Sequence, residues 1–209
     1  MPLDPRGRDT FVAHSPLPPS ALSDVERWGE LLVRWNSKIN LVAPGTLGDF
    51  WVRHALDSAQ IVSHLPDTAA VVADFGSGAG FPGIAIAIDA KHRGLPRHVH
   101  LIESAGKKAS FLRTVTRELA LPVTVHSARI EALKPLQADV ITARAFAPLP
   151  RLLPLARRHL APEGRVVLLK GEGLDGEIAE ACASGERFDT VHTAASLSGD
   201  GYICVVAPR

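Results

Sequence analysis

The sequence predicts an α/β domain built on a doubly wound, mostly parallel, seven-stranded sheet, with a helical extension on its N-terminal side. Three observations carry this. The apolar run Val71–Phe75 leads into a turn with glycines at 76, 78, 80 and 83, and then into the apolar residues 84–88. A buried parallel strand, a tight turn and a helix read this way. From Val71 onward, short β-rich runs alternate with helix-length segments, the pattern of βαβ units with helices on both sheet faces. The last two runs lack a long helix between them and predict a terminal hairpin.

Taken in order, residues 1–19 are Pro-rich and polar and read as a flexible arm. Residues 20–68 form the helical extension. Ser23-Asp24-Val25-Glu26 has capping-box spacing. Leu22, Val25, Trp28, Leu31, Leu32, Trp35 and Ile39 then recur at helical intervals. A second helical stretch runs from 50 to 65 and ends at Pro66. Residues 69–209 are the sheet domain, with strands expected at Val71–Phe75, 99–103, Val123–His126, 139–142, 165–170, 188–192 and 202–207. Helices are expected at 82–91, 105–119, 149–160 and Leu174–Ala183. Pro82 suits a first helical turn, where its missing N–H costs little.

The chain has 209 residues, 46% of them hydrophobic, so it can bury a sizeable core. Its 23 basic and 22 acidic residues leave a net charge of +1. Nucleic-acid binding therefore requires a local basic face. No apolar run is long enough for a membrane span, and the N-terminus lacks the apolar stretch of a signal peptide, so a cytoplasmic location is expected. Cys182 and Cys204 stand apart with no clustered histidines. They read as buried, reduced thiols rather than a disulfide or metal pair.

The glycine turn has three readings. Gly78-x-Gly80-x-x-Gly83 satisfies the dinucleotide fingerprint, and Glu103 lies twenty residues further on, where a ribose carboxylate is expected. Asp74-x-Gly76-x-Gly78-x-Gly80 instead matches the S-adenosylmethionine (SAM) turn. A carboxylate at the mouth of the loop repels a pyrophosphate but not a sulfonium, an amine or a ribose, so Asp74 favours SAM. A purely structural turn is the third.

Ligands in such sheets bind beyond the carboxyl ends of the strands. Glu103 stands there, able to accept from two vicinal hydroxyls or simply to cap the next helix. Arg144 and Lys170 follow later strands and suit a cofactor carboxylate, a substrate phosphate, a base edge, or a salt bridge to Asp74 or Glu103. Lys107 and Lys108 oppose the dipole of their helix, which suits a phosphate partner. With Arg113 and Arg117 they otherwise form a solvated face. Arg53 adds basic character, and His54 reads equally as an interior histidine. Neither a Ser-His-Asp nor a metal-ligand spacing occurs.

Trp35-Asn36-x-x-x-Asn40-Leu41, Val52-Arg53-His54-x-Leu56-Asp57-Ser58, the turn 74–83, Ile102-Glu103-Ser104 with Lys107-Lys108, Arg144-Ala145-Phe146-Ala147 and Leu169-Lys170-Gly171 together resemble the small-subunit ribosomal RNA methyltransferase G family, from about residue 25 onward. The resemblance implies a Rossmann-like class I SAM-dependent methyltransferase. Its partner would be 16S ribosomal RNA or the small-subunit particle, methylated on guanine N7 at position 527 in the 530 loop. A monomer without metal or membrane contact is expected. Cofactor contacts transfer to Gly76, Phe81, Ile130, Glu131 and Arg144, beside Asp74, Gly78, Gly80 and Glu103 from the motif. Arg53, His54, Arg144 and Lys170 become substrate-orienting candidates, and Arg53, Lys107, Lys108, Arg113 and Lys170 RNA-binding candidates. Departures from the family pattern are Glu103 for a frequent Asp and Phe81 for a frequent Leu. Guanine N7 offers a lone pair and no proton, so no general base is required.

Overall fold

The computed structural model describes residues 3–197, 199 and 201–209, without the side chains of 190–192. Strands β1 (Val71–Phe75), β2 (His98–Ile102), β3 (Val123–His126), β4 (Ala138–Arg144), β5 (Leu160–Lys170), β6 (Phe188–Ala195) and β7 (Tyr202–Pro208) form one sheet. Their order is β3-β2-β1-β4-β5-β7-β6. The first five pair in parallel, and β7 runs antiparallel to both β5 and β6. The expected hairpin is therefore present, inserted so that β7 lies inside the sheet. This order departs from the 3-2-1-4-5-6 arrangement of a dinucleotide fold.

Helices α1 (Pro5–His14), α2 (Leu22–Asn36), α3 (Asp57–Gln60), α4 (Gly83–Arg93), α5 (Gly106–Glu118), α6 (Leu149–His159) and α7 (Leu174–Ala183) cover the faces. Successive strand residues point to opposite faces, which divides the core in two. Val72, Val99, Leu101 and Val140 pack with α2, α4 and α5. Ala73, Phe75, Ile141 and Val166 pack with α6 and α7. The apolar stripe of α2 behaves as its spacing requires, with Val25, Trp28, Leu31 and Leu32 buried. Asn36 Oδ1 then accepts from the backbone of Leu41 (2.9 Å) and Val42 (3.0 Å), which turns the chain after α2.

Four expectations need correction. Residues 5–14 are helical rather than a loose arm. Asp4 accepts from the Arg6 amide, Pro5 begins the helix, and Phe11 is buried with its ring 5.4 Å from Trp51. The capping box at Ser23–Glu26 does not form, because a tight turn at Pro19–Ala21 runs directly into α2. Its acids are used elsewhere: Asp24 holds Lys91 (2.8 Å) and His92 (2.9 Å) of α4, and Glu26 holds Arg8 (2.7 Å) of α1. Cys182 is exposed on α7, whereas Cys204 is buried as expected, and burial pushes its thiol up to about 11. Finally, β5 starts at Leu160, five residues early. A register shift between Ala138 and Val140 admits Pro162 and Gly164 near the beginning of the strand.

The second helical stretch forms, but in three windings: a wide π turn over Phe50–Leu56, α3, and a tight turn over Ile61–His64. The wide turn carries Arg53 and His54.

Candidate functional site

Two adjoining cavities open beyond the carboxyl ends of β1, β2, β4 and β5. One, of about 310 Å³, is lined by Gly76, Ile102, Glu103, Ser104, Ile130 and Glu131, among others. The other, of about 400 Å³, includes Arg53, Asp57, Arg144, Lys170, Glu177 and Tyr202. Ala145 and Phe146 line both, so the loop after β4 is their common wall.

The first cavity is built around the glycine turn. Gly76, Gly78 and Gly80 have φ of +67°, +55° and +95°. A Cβ on Gly80 would stand 2.2 Å from Ile84 Cδ1, and one on Gly76 would stand 2.5 Å from Phe146 Cδ2. Glycine is needed there for both conformation and space. At Gly78 only the conformation requires it, since the space beyond is open. Glu103 is 8% exposed, and its oxygens accept from the amides of Gly78 (2.9 Å) and Ala105 (2.7 Å). A carboxylate has about four acceptor positions, so two remain for a ligand. Glu103 therefore both fastens the backbone at the start of α5 and lines the cavity. Across from it, the tight turn Ile130–Ala132 is fastened from α6, because Arg158 donates to the carbonyls of Glu131 (2.7 Å) and Leu133 (2.8 Å). Gly76, Glu103 and the Ile130-Glu131 pair are thus gathered from three separate segments.

Asp74 is not at the mouth of the loop. It is fully buried, with Oδ1 accepting from Thr142 Oγ1 (3.0 Å) and Oδ2 from the Gly83 amide (3.3 Å). Burial pushes its carboxyl up to about 7. The electrostatic argument that placed it against a ligand is replaced by a structural one: Asp74 ties β1 to β4 and to the start of α4. Gly78, Gly80 and Phe81 likewise shape the turn without lining either cavity.

Phe81 lies in an aromatic stack that joins the extension to the turn. Its ring is 4.8 Å from Trp28 and 4.9 Å from His54, with the Arg144 guanidinium 5.7 Å above it. Trp28 Nε1 donates to the Ala79 carbonyl (3.2 Å), so α2 holds the back of the glycine turn. His54 is buried, with Nε2 on Thr46 Oγ1 (3.2 Å). Burial, reinforced by Arg144 and Arg53, lowers it to about 4. It is an interior histidine, held in its neutral form.

The second cavity is where three of the expected cations meet. Arg53 is exposed at its rim. Arg144 donates to the Arg53 carbonyl (2.9 Å), and Lys170 Nζ binds the Ala147 carbonyl (2.8 Å) and Glu177 Oε2 (2.6 Å). The expected salt bridges from Lys170 to Asp74 or Glu103 are not made. Glu177, from α7, was not legible in the sequence, since only the packing of α7 against α6 brings it to Lys170. Asp57 also enters this wall, with Oδ1 accepting from Ser196 Oγ (2.9 Å) and Gln60 Nε2 (3.1 Å). Lys107, Lys108 and Arg113 are on α5 and line neither cavity.

Among the described residues no helix is long and apolar enough to cross a membrane. The fold resembles solved methyltransferases. One is the ribosomal protein L11 methylase of Lactobacillus delbrueckii subsp. bulgaricus, with a TM-score of 0.62, 17% identity, and coverage of 75% of this chain and 79% of that one. Another is the fibrillarin of Aeropyrum pernix, solved with natively bound S-adenosyl-L-methionine, with a TM-score of 0.56, 14% identity, and coverage of 74% and 75%. The sheet is accordingly of the class I SAM-dependent methyltransferase type. Curated relatives include the ribosomal RNA small subunit methyltransferase G of Paramagnetospirillum magneticum, 45% identical over 172 residues and 82% of each chain. That of Rhodospirillum rubrum is 42% identical over 184 residues, 86% of this chain and 89% of the other. The model of the rRNA small subunit methyltransferase G family matches residues 21–196. The chain belongs to that family.

Proposed function

We propose that this protein methylates N7 of guanine 527 in the 530 loop of 16S ribosomal RNA, using S-adenosylmethionine. Membership in a ribosomal RNA methyltransferase family supports the coarser statement, a SAM-dependent rRNA methyltransferase. The single observation that supports methyl transfer from this cofactor to an RNA base is the pair of cavities sharing the Ala145–Phe146 wall, while the position and the atom rest on the family resemblance. One suits a nucleoside and the other is cationic, so a cofactor and an RNA base would meet at the wall.

The residues present fit the cofactor. Glu103 keeps acceptor positions for ribose hydroxyls, and a Cβ on Gly76 would crowd the wall at Phe146. Gly76, Glu103, Ile130 and Glu131 would hold the adenosyl part, with Arg144 toward the methionine carboxylate. The bound cofactor supplies a methyl group on a sulfonium. What the protein adds is alignment, which can contribute ~7–11 kcal/mol. Arg53 and Arg144 orient the RNA from the rim without occupying N7. No residue needs to remove a proton from N7, which carries none. Lys107, Lys108 and Arg113 lie further out, where they suit phosphates of the surrounding RNA. The protein would act as a cytoplasmic monomer.

The test is to map N7-methylguanine in 16S ribosomal RNA from cells with and without the gene, and after incubating purified protein, SAM and small-subunit RNA. A mark at position 527 that depends on the protein is expected. A mark at another base or atom, or none, overturns the assignment.

A further inference from the structure

We propose that the Lys170–Glu177 pair reads the edge of the target guanine and selects it over adenine. This rests on the function proposed above and goes beyond it by naming the groups that recognise the base.

Lys170 ends β5, and Glu177 lies one turn inside α7. Their charged groups meet at 2.6 Å, with side chains only 10% and 27% exposed, in the wall of the larger cavity. The Lys170 ammonium has three hydrogens. One goes to the Ala147 carbonyl and one to Glu177 Oε2, and the third meets no acceptor among the described residues. Glu177 Oε2 accepts from both Lys170 and the Leu149 amide (2.9 Å), while Oε1 bonds to nothing among the described residues. The pair thus presents one donor beside one acceptor.

Guanine carries O6, an acceptor, beside N1–H, a donor. Lys170 on O6 and Glu177 on N1–H satisfy both. Adenine carries the reverse, an amino donor beside an N1 acceptor, and meets like with like. O6 also lies next to N7, so a base held by this edge keeps N7 uncovered for the shared wall, where Phe146 separates the two cavities. The contact acts on rate as well as on identity. As positive charge develops on the purine, N1–H becomes a stronger donor, so the bond to Glu177 tightens in the transition state.

The experiment compares small-subunit RNA carrying guanine, inosine, 2-aminopurine or adenine at the target position. Inosine keeps O6 and N1–H, and 2-aminopurine loses both while keeping N7. The parent protein should methylate inosine within about tenfold of guanine, and 2-aminopurine and adenine about 10- to 100-fold more slowly. In E177Q, which keeps an acceptor for Leu149, kcat on guanine should fall about tenfold or more. RNA binding, measured with the demethylated cofactor present, should stay within about threefold, and the guanine-to-2-aminopurine ratio should shrink toward one.

A parent protein that does not distinguish guanine from 2-aminopurine overturns this inference while leaving the methylation itself intact. So does a folded E177Q that slows all bases equally, which is the mark of a structural role. Absence of guanine methylation by the parent overturns the underlying function instead. Should E177Q not fold, the base series on the parent decides alone.

Discussion

Removing the Glu103 carboxylate separates a cofactor-binding turn from a merely structural one. Its two oxygens accept from Gly78 and Ala105, both at partly or fully exposed positions where water can replace the lost acceptor. The stability cost of Glu103→Ala is therefore at the low end for orphaned amides, about 1 kcal/mol for each. The cofactor has no such substitute. Its ribose hydroxyls would lose a charged acceptor inside a cavity of about 310 Å³, which weakens binding by about 1.5–3 kcal/mol, or 10- to 150-fold. Glu103→Gln keeps one neutral acceptor oxygen and should fall between the two. Calorimetric titration with S-adenosylhomocysteine measures the affinity, and urea unfolding measures the stability. A folded Glu103→Ala protein that binds within about threefold of the parent would refute the ribose role and leave Glu103 as a helix cap alone.

Three further outcomes are expected. Gly80→Ala meets Ile84 at 2.2 Å with φ at +95° and should cost about 2–4 kcal/mol, whereas Gly78→Ala has open space and should cost about 1–2. Equal urea midpoints would contradict the packing described. Asp74 has a folded carboxyl raised from 3.8 to about 7, so the stability it contributes in acid is lost as pH rises through that window. Three pKa units correspond to roughly 4 kcal/mol as an upper value. Asp74→Asn keeps an acceptor without the charge, and it should gain on the parent between pH 4 and 8. Parallel stability curves for the two proteins would show that the carboxyl is not held neutral. Replacing Lys107 and Lys108 by alanine should leave cofactor affinity unchanged and flatten the log–log salt dependence of RNA binding by about 1.4–1.8. An unaltered slope places the RNA away from α5.

Much of this molecule is written locally. Periodicity placed α2 with its buried face: Val25, Trp28, Leu31 and Leu32 are all in the core. The glycine spacing marked the turn, and strand-end positions marked Glu103, Arg144 and Lys170. These are consequences of short-range rules, in which side-chain direction follows chain position and the ligand side of a parallel sheet follows strand polarity. Local rules failed where a long-range partner intervened. Ser23 and Glu26 have the spacing of a cap, but Glu26 is drawn to α1 and its neighbour Asp24 to α4, and the acid of the SAM turn faces Thr142 rather than a ligand.

The amino-acid sequence by itself determined the α/β class, the strand order of appearance, the hairpin and the turn at which a cofactor would bind. Only the tertiary structure decided that β7 enters between β5 and β6, and that the first helix is packed through Phe11. It also set which charges meet. Lys170 and Glu177 are joined by the seating of α7 on α6, Arg158 fastens the turn behind Glu131, and burial, reinforced by Arg144 and Arg53, lowers the His54 pKa to about 4. The physical reason is one of range. Backbone geometry and hydrophobic periodicity act over a few residues, whereas burial, ion pairing and the shape of a cavity depend on segments that become neighbours only after the chain has folded.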